Sequence, residues 1–309
     1  MSRGPFADRI VGGAGINEPM AEELRRHFDF FRYPDTHNPD AEVVVVMTQK
    51  VNDAFLDKFP KAKLIAGTGA GYDYADLAAL KRRGVQLCNG AGTKDTCGAD
   101  FAMGLLIATV RRMAACDRHV QNGNWVRFRM PPTRRVSEKK IGIYGLGSIG
   151  AVLARRALGF DMEVGYHNRR PRPEVPYRYF GDLLSMAEWC DYLVCACPLT
   201  PETRYSVNAE VLKALGPEGT LINIARGAVV DQRALIEALD KGIIEGAGLD
   251  VIEGEPEVPK ELLGRDNVMI TPHVAVITLE TQAYTRSAVV DNIETFFRTG
   301  TPGRRVDLG

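Results

Sequence analysis

With 309 residues, 45% of them hydrophobic and 25% charged, the chain is long enough for two domains of ordinary size. Lys plus Arg and Asp plus Glu both number 39, so the formal net charge is zero and no overall field recruits a nucleic acid or an anionic membrane. The first nine residues lack the apolar core of a signal peptide and no window approaches the length that spans a bilayer, which predicts a cytoplasmic protein with neither nucleic acid nor membrane as partner.

Short apolar runs alternate with helix-period segments through most of the sequence, the pattern of βαβ units around a parallel sheet, so the class is α/β. Segments 9–12, 43–47, 64–66 and 85–88 are expected as strands, with helices over 20–27 and 74–83, and this first third suffices for a sheet of its own. From Cys97 to His119 the sequence is apolar with few breakers and ends in charge, which predicts one long helix crossing between domains. Asn122-Gly123-Asn124-Trp125 and the run 130–135 follow as an exposed connection, within which Trp125 is expected to pack in a core or an interface. Six further strands are expected, beginning at 140 and then over 162–166, 191–195, 220–224, 246–251 and 268–270. A last helix over 279–297 sets Ala288, Val289, Ile293 and Phe296 at core spacing and returns to the first domain.

The six cysteines, at 88, 97, 116, 190, 195 and 197, form no C-x-x-C pair and lack the Cys/His spacing of a zinc site, so no metal is expected and a reducing compartment is the simpler reading. Cys195 and Cys197 alternate in the apolar run 193–197, where cysteine acts as a small hydrophobe of a buried strand.

Ile141-Gly142-Ile143-Tyr144 reads as a strand and leads directly into Gly145-Leu146-Gly147-Ser148-Ile149-Gly150 and the helix-forming run 151–156. In that context Gly145 permits the tight turn, Gly147 lets backbone approach a pyrophosphate, and Gly150 allows close packing of helix on strand. The N–H groups and positive dipole end of the helix start, at Ser148 and Ile149, then face the phosphates. The bland alternative is a glycine-rich turn with no ligand. The next strand ends at Tyr166-His167-Asn168-Arg169-Arg170, where a binder of NAD places Asp or Glu for the ribose hydroxyls; that acid is missing. Asn168 stands 18 residues after Gly150, close to the expected separation, and Arg169 and Arg170 suit an extra 2′-phosphate through planar, charge-assisted bonds. NADP(H) is therefore expected ahead of NAD(H), the alternative being a solvated surface pair of arginines.

Three more segments sit at the C-terminal ends of expected strands, where open α/β sheets bind ligands: 223–231 with Arg226, 248–256 with Asp250, Glu253 and Glu255, and Thr271-Pro272-His273-Val274-Ala275. In this order after the glycine motif they resemble the D-isomer-specific 2-hydroxyacid dehydrogenases. Gly69-Ala70-Gly71-Tyr72-Asp73 and Pro198-Leu199-Thr200-Pro201-Glu202-Thr203 are similar to further landmarks of that family, and the resemblance covers nearly the whole chain.

The resemblance implies a catalytic triad of Arg226, Glu255 and His273. Hydride transfer to a ketone builds negative charge on its oxygen. His273 as imidazolium would donate the proton, Glu255 would favour that charged form, and Arg226, permanently charged, would anchor the substrate carboxylate or polarise its carbonyl. Glu253 is a nearby alternative, and Glu255 is chosen because the family pattern places the acid directly before proline. Asp250 falls near the nicotinamide by the same resemblance, with a turn-forming role as the alternative, and Pro198 and Thr203 join the cofactor site. Backbone N–H groups around Ala70 and Gly71 would meet the substrate carboxylate, in a cleft between domains that closes to expel water.

The implied architecture is two Rossmann-like, doubly wound domains: a cofactor domain, 99–282, inserted into a flavodoxin-like substrate domain, 1–98 plus 283–309, in a homodimer. The NADP-type ending after the second strand resembles the glyoxylate/hydroxypyruvate reductases, so those two acids come first and aromatic or branched 2-oxo acids behind, each reduced to a D-2-hydroxy acid. The family often carries Gly-Ser-Ala-Thr where this chain has Ala275-Val276-Ile277-Thr278; these bulkier residues either shape the pocket or pack the helix start. A phosphite-type dehydrogenase and an NAD(P)-sensing, corepressor-like binding protein are the alternatives, and the absence of a strongly basic segment speaks against the second.

Overall fold

The structure, a computed structural model, describes residues 5–47, 49–90, 92, 95–125 and 130–308 and divides into two compact units, Met1–Lys94 with Ile277–Gly309, and Asp95–Val276.

The first unit alternates strand and helix: β1 (Ile10–Ala14), α1 (Glu18–His27), β2 (Asp29–Tyr33), β3 (Val43–Val46), α2 (Asp53–Leu56), β4 (Leu64–Gly67), α3 (Leu77–Arg82) and β5 (Gln86–Cys88). Its five strands are all parallel in the order β2-β1-β3-β4-β5, the flavodoxin-like arrangement. The central β3 is four valines, every one buried, as a parallel strand covered on both faces requires.

The second unit holds α4 (Asp95–Val110), α5 (Met113–Gln121), β6 (Lys140–Tyr144), α6 (Ser148–Leu158), β7 (Glu163–His167), β8 (Arg178–Phe180), α7 (Leu183–Trp189), β9 (Tyr192–Cys195), α8 (Ala209–Leu215), β10 (Thr220–Asn223), α9 (Gln232–Asp240), β11 (Gly246–Leu249) and β12 (Val268–Ile270). Its seven parallel strands run β12-β11-β10-β9-β6-β7-β8. Counted from β6, that is the doubly wound dinucleotide-binding order with one strand added at the far edge, and the order reverses between β6 and β9. The chain then returns to the first unit as α10 (Leu279–Thr299). There Val289, Val290, Ile293 and Phe296 are buried with Val11, Leu24, Val43 and Leu64; each large side chain so covered contributes about 1.5–3 kcal/mol.

The structure departs from the sequence reading at several points. β2 and β8 are strands that the sequence pattern does not predict: both are sheet edges, and their mixed sequences, DFFRY and RYF, carry no continuous apolar run because an edge is only partly covered. The expected long helix is two, broken at Arg112, whose backbone is left-handed (φ 49°) and whose guanidinium is held by Glu245 Oε1 at 2.7 Å. Both helices lie within the second unit instead of crossing out of it. The unit boundaries fall at 94/95 and 276/277 against the expected 98/99 and 282/283, because α4 and α10 each belong whole to one unit and the expected cuts pass through them. Trp125 is 85% exposed, which overturns the core half of its expected core-or-interface packing. Among the described residues, no helix is long and apolar enough to cross a membrane.

Candidate active site

A cavity of about 710 Å³ opens beside the carboxyl ends of β6 and β9, at the point where the strand order reverses. Gly145 leaves β6 with φ 102°, and a Cβ there would stand 2.6 Å from the backbone of Cys197, so only glycine permits this turn. Gly147 caps α6 and has open space where its side chain would be, which leaves room for a ligand against backbone. Gly150 packs against the Gly145 carbonyl; its Cβ would lie 2.3 Å from that oxygen. The first backbone bond of α6 runs from Ala151 N to Gly147 O at 2.9 Å, so the amides of Ser148, Ile149 and Gly150 point out of the helix start. The side chain of Ile149 itself turns towards Gly98 of α4 and joins the core.

Of the residues expected at the cofactor, Gly145, Gly147, Asn168, Arg169, Arg170, Pro198 and Thr203 line this cavity. Thr200 and Glu202 line it too; they are not among the expected contacts, although both lie inside the 198–203 motif. Thr203 Oγ1 donates to Pro198 O (2.7 Å) and accepts from Thr200 N (2.8 Å), which folds that segment into a fixed turn. Glu202 is held below the usual carboxylate range, first by a hydrogen bond with the Thr200 side chain, with the Arg169 cation among the further causes. Asn168 reaches across to the glycine turn, where its Oδ1 accepts from Leu146 N at 2.7 Å. Cys197 also lines the cavity, and burial pushes its thiol up to about 12, consistent with a packing role.

The ends of β10, β11 and β12 carry the residues expected at the reaction centre. Asn223, buried at the end of β10, accepts from Ala225 N through Oδ1 (3.0 Å) and donates from Nδ2 to Arg226 O (3.0 Å), which shapes the backbone on either side of Arg226. Arg226 is half-buried and its Nη1 donates to Ala225 O at 2.8 Å. The adjacent Gly227 lies against the 250–256 loop so closely that a Cβ would fall 2.0 Å from the Ile252 carbonyl carbon and oxygen. Glu255, on that loop, accepts from Ile252 N through Oε1 (3.2 Å) and pairs through Oε2 with His273 Nδ1 at 2.9 Å. Glu253 is occupied elsewhere, by the Tyr205 hydroxyl at its carboxylate and by Gln232 at its backbone, so the two nearby acids have separate partners.

Asp250 is 1% exposed, and its carboxylate is consumed by the loop that bears His273. It accepts from Thr271 Oγ1 (2.7 Å), Val274 N (2.9 Å) and Ala275 N (2.9 Å), while its carbonyl accepts from His273 N (2.9 Å). His273 has φ 54°, a left-handed backbone that costs about 1 kcal/mol or more in a residue with a Cβ, and this cage of bonds holds it there. Val276, one of the bulkier residues after His273, lies near Gly98 of α4.

In the first unit, Ala70 and Gly71 follow β4 on a half-buried turn. The Gly69 carbonyl accepts from Gly90 N (2.8 Å) and the Ala70 carbonyl from Asn89 Nδ2 (2.8 Å), so the turn is fixed through its carbonyls.

Residues 103–275 match the model for the NAD-binding domain of the D-isomer specific 2-hydroxyacid dehydrogenases, more than half of the chain. The chain belongs to that family. It is 43% identical over 248 residues to a glyoxylate/hydroxypyruvate reductase of Arabidopsis thaliana (80% of this chain, 77% of that one). It is 40% identical over 288 residues to a hydroxyphenylpyruvate reductase of Plectranthus scutellarioides (90% and 92%). Among solved structures, it resembles the NADPH-dependent glyoxylate/hydroxypyruvate reductase of Sinorhizobium meliloti in complex with NADP and malonate, at TM-score 0.90 and 36% identity over 98% of this chain and 97% of that one. This D-2-hydroxyacid dehydrogenase is therefore an oxidoreductase that works with a nicotinamide dinucleotide on a 2-oxo or 2-hydroxy acid.

Proposed function

We propose that the enzyme prefers NADPH and reduces small 2-oxo acids, glyoxylate and hydroxypyruvate first, to D-2-hydroxy acids. The observation that carries the chemistry is the 2.9 Å bond between His273 Nδ1 and Glu255 Oε2. With Nδ1 so engaged, Nε2 is the ring nitrogen left to give a proton to the substrate oxygen, and the carboxylate stabilises the protonated ring before transfer. A nicotinamide held in this cavity would supply the hydride to C2 of the acid. Arg226 holds the substrate carboxylate or carbonyl with a charge that persists through the cycle. The chain fits the cofactor by its cradle: a turn that admits no Cβ at Gly145, open space at Gly147, and amides at the α6 start.

Preference for NADPH is supported by Arg169 and Arg170 on the cavity wall where β7 ends without an acid, and the Sinorhizobium meliloti relative is NADPH-dependent. Glyoxylate and hydroxypyruvate are favoured because relatives named for them align over most of the chain. A homodimer formed through the cofactor unit is part of the proposal, supported by apolar exposure at Met113 (54%), Val120 (44%) and Trp125 (85%) on and after α5. Cys88, Cys190, Cys195 and Cys197 are buried free thiols, as suits a reducing, cytoplasmic setting. The deciding experiment compares NADPH and NADH kinetics in the wild type and in Arg169→Ala/Arg170→Ala. The KM for NADPH should rise at least about tenfold and that for NADH less than about twofold; an unchanged NADPH constant overturns the assignment of the 2′-phosphate site.

A further inference from the structure

The segment that follows β7 does more than present Arg169 and Arg170. Leu146, between the two glycines of the turn, is gripped on both sides of its backbone from this segment: Asn168 Oδ1 accepts its N–H at 2.7 Å, and Arg172 Nη1 donates to its carbonyl at 2.8 Å. Arg172 is itself set firmly. Its Nε donates to Glu174 Oε1 at 2.6 Å, and its backbone N–H donates at 2.7 Å to the hydroxyl of Tyr166, a side chain buried in β7. Tyr179 of β8, tilted against Tyr166 with ring centroids 5.5 Å apart, donates from its hydroxyl to Asn168 O at 3.2 Å. Arg172 is absent from the cavity wall, unlike Arg169 and Arg170, and its guanidinium is engaged by the Leu146 carbonyl and the Glu174 carboxylate.

We propose that Arg172 is a positioning residue for the cofactor: it latches the pyrophosphate-binding glycine turn to the 168–172 segment, so the two walls of the dinucleotide cavity are held as one piece. A guanidinium suits this role because its planar fork satisfies a carbonyl and a carboxylate at once in fixed geometry. A latch on the glycine turn acts on the part of the dinucleotide that NADPH and NADH share. Its loss therefore weakens both cofactors by the same factor, whereas loss of a 2′-phosphate contact weakens NADPH alone.

The inference rests on the reading of this cavity as the dinucleotide site, and the test separates the two. Dissociation constants of NADPH and NADH are measured by titration of the wild type, Arg172→Met and Arg172→Lys, beside kcat at saturating cofactor and the Tm. In Arg172→Met both constants should rise about tenfold, as loss of a charge-assisted hydrogen bond implies. Their ratio should stay within about twofold at both low and about 0.5 M salt, where a simple charge effect would fade. The kcat at saturation should hold, and Arg172→Lys, which keeps one donor, should recover most of the loss. Constants unchanged in Arg172→Met, or a loss confined to NADPH, overturn the latch while leaving the cavity assignment standing. A wild type that binds neither cofactor overturns the cavity assignment itself. Should Arg172→Met fail to fold, Glu174→Ala, at an exposed position, decides by the same criterion, with both constants expected to rise about threefold and unchanged constants overturning the latch.

Discussion

His273 combines two demands that a single interaction could not meet. Glu255 addresses its ring, and Asp250 addresses its backbone, which is left-handed and would relax without the three donors that Asp250 gathers. Replacing His273 by Asn should lower kcat by about 10²–10⁴ with NADPH binding retained, because only the proton donor is lost. Asp250→Asn should cost stability as well as rate. An amide N–H₂ turned toward Val274 N or Ala275 N replaces an acceptor by a donor at a buried site, at about 1–3 kcal/mol, read as a lowered Tm together with reduced kcat; an unchanged Tm would contradict the cage. The cysteines give a pH-dependent prediction. Burial pushes the thiols of Cys88, Cys190 and Cys197 up to about 12, so near pH 8 they carry almost no thiolate, and alkylation detected by mass spectrometry should mark the half-buried Cys116 before any of these three, which react only as the pH approaches 12. Early labelling of Cys197 would contradict its inert placement.

Elements converge on the site through close backbone contacts, and glycine makes these contacts available. Gly227→Ala would press a Cβ to 2.0 Å from the Ile252 carbonyl, forcing the Arg226 segment away from the Glu255 loop. The expected result is a fall in kcat/KM of about 10²-fold or more, since small misplacement of a catalytic group costs that much, with cofactor binding spared. Gly150→Ala should do the reverse, separating α6 from the Gly145 turn and weakening both cofactors. The interior strands are legible in the sequence because strands buried on both faces are continuous apolar runs, as at 43–46 and 192–195. Edge strands β2 and β8 are not, since half-covered strands keep charged residues such as Arg32 and Arg178. The break at Arg112 is also hidden: it depends on Glu245, 133 residues away in sequence, which no local pattern reports.

At the scale of the molecule, two parallel sheets of known winding place the chemistry where such sheets place it, beyond the carboxyl ends of the strands. That much is readable from the alternation of elements and from motifs that each occupy a few consecutive residues, among them the stretches that hold the cavity-lining Gly145 and Arg169 and the Glu255–His273 pair. The residues that hold their neighbours are not. Asn223, Gln232, Tyr205 and Arg172 act on partners through the fold, and as single polar residues they look like any strand end or surface position. The most direct test of the whole assignment is a panel of 2-oxo acids, glyoxylate and hydroxypyruvate included, assayed for oxidation of NADPH by the wild type and His273→Asn. The expected result is turnover of at least one of these acids to its D-2-hydroxy product (glycolate, which is achiral, in the case of glyoxylate), abolished or nearly so in the variant. NADPH that binds while no acid is reduced would contradict the enzyme and point to a dinucleotide-sensing protein.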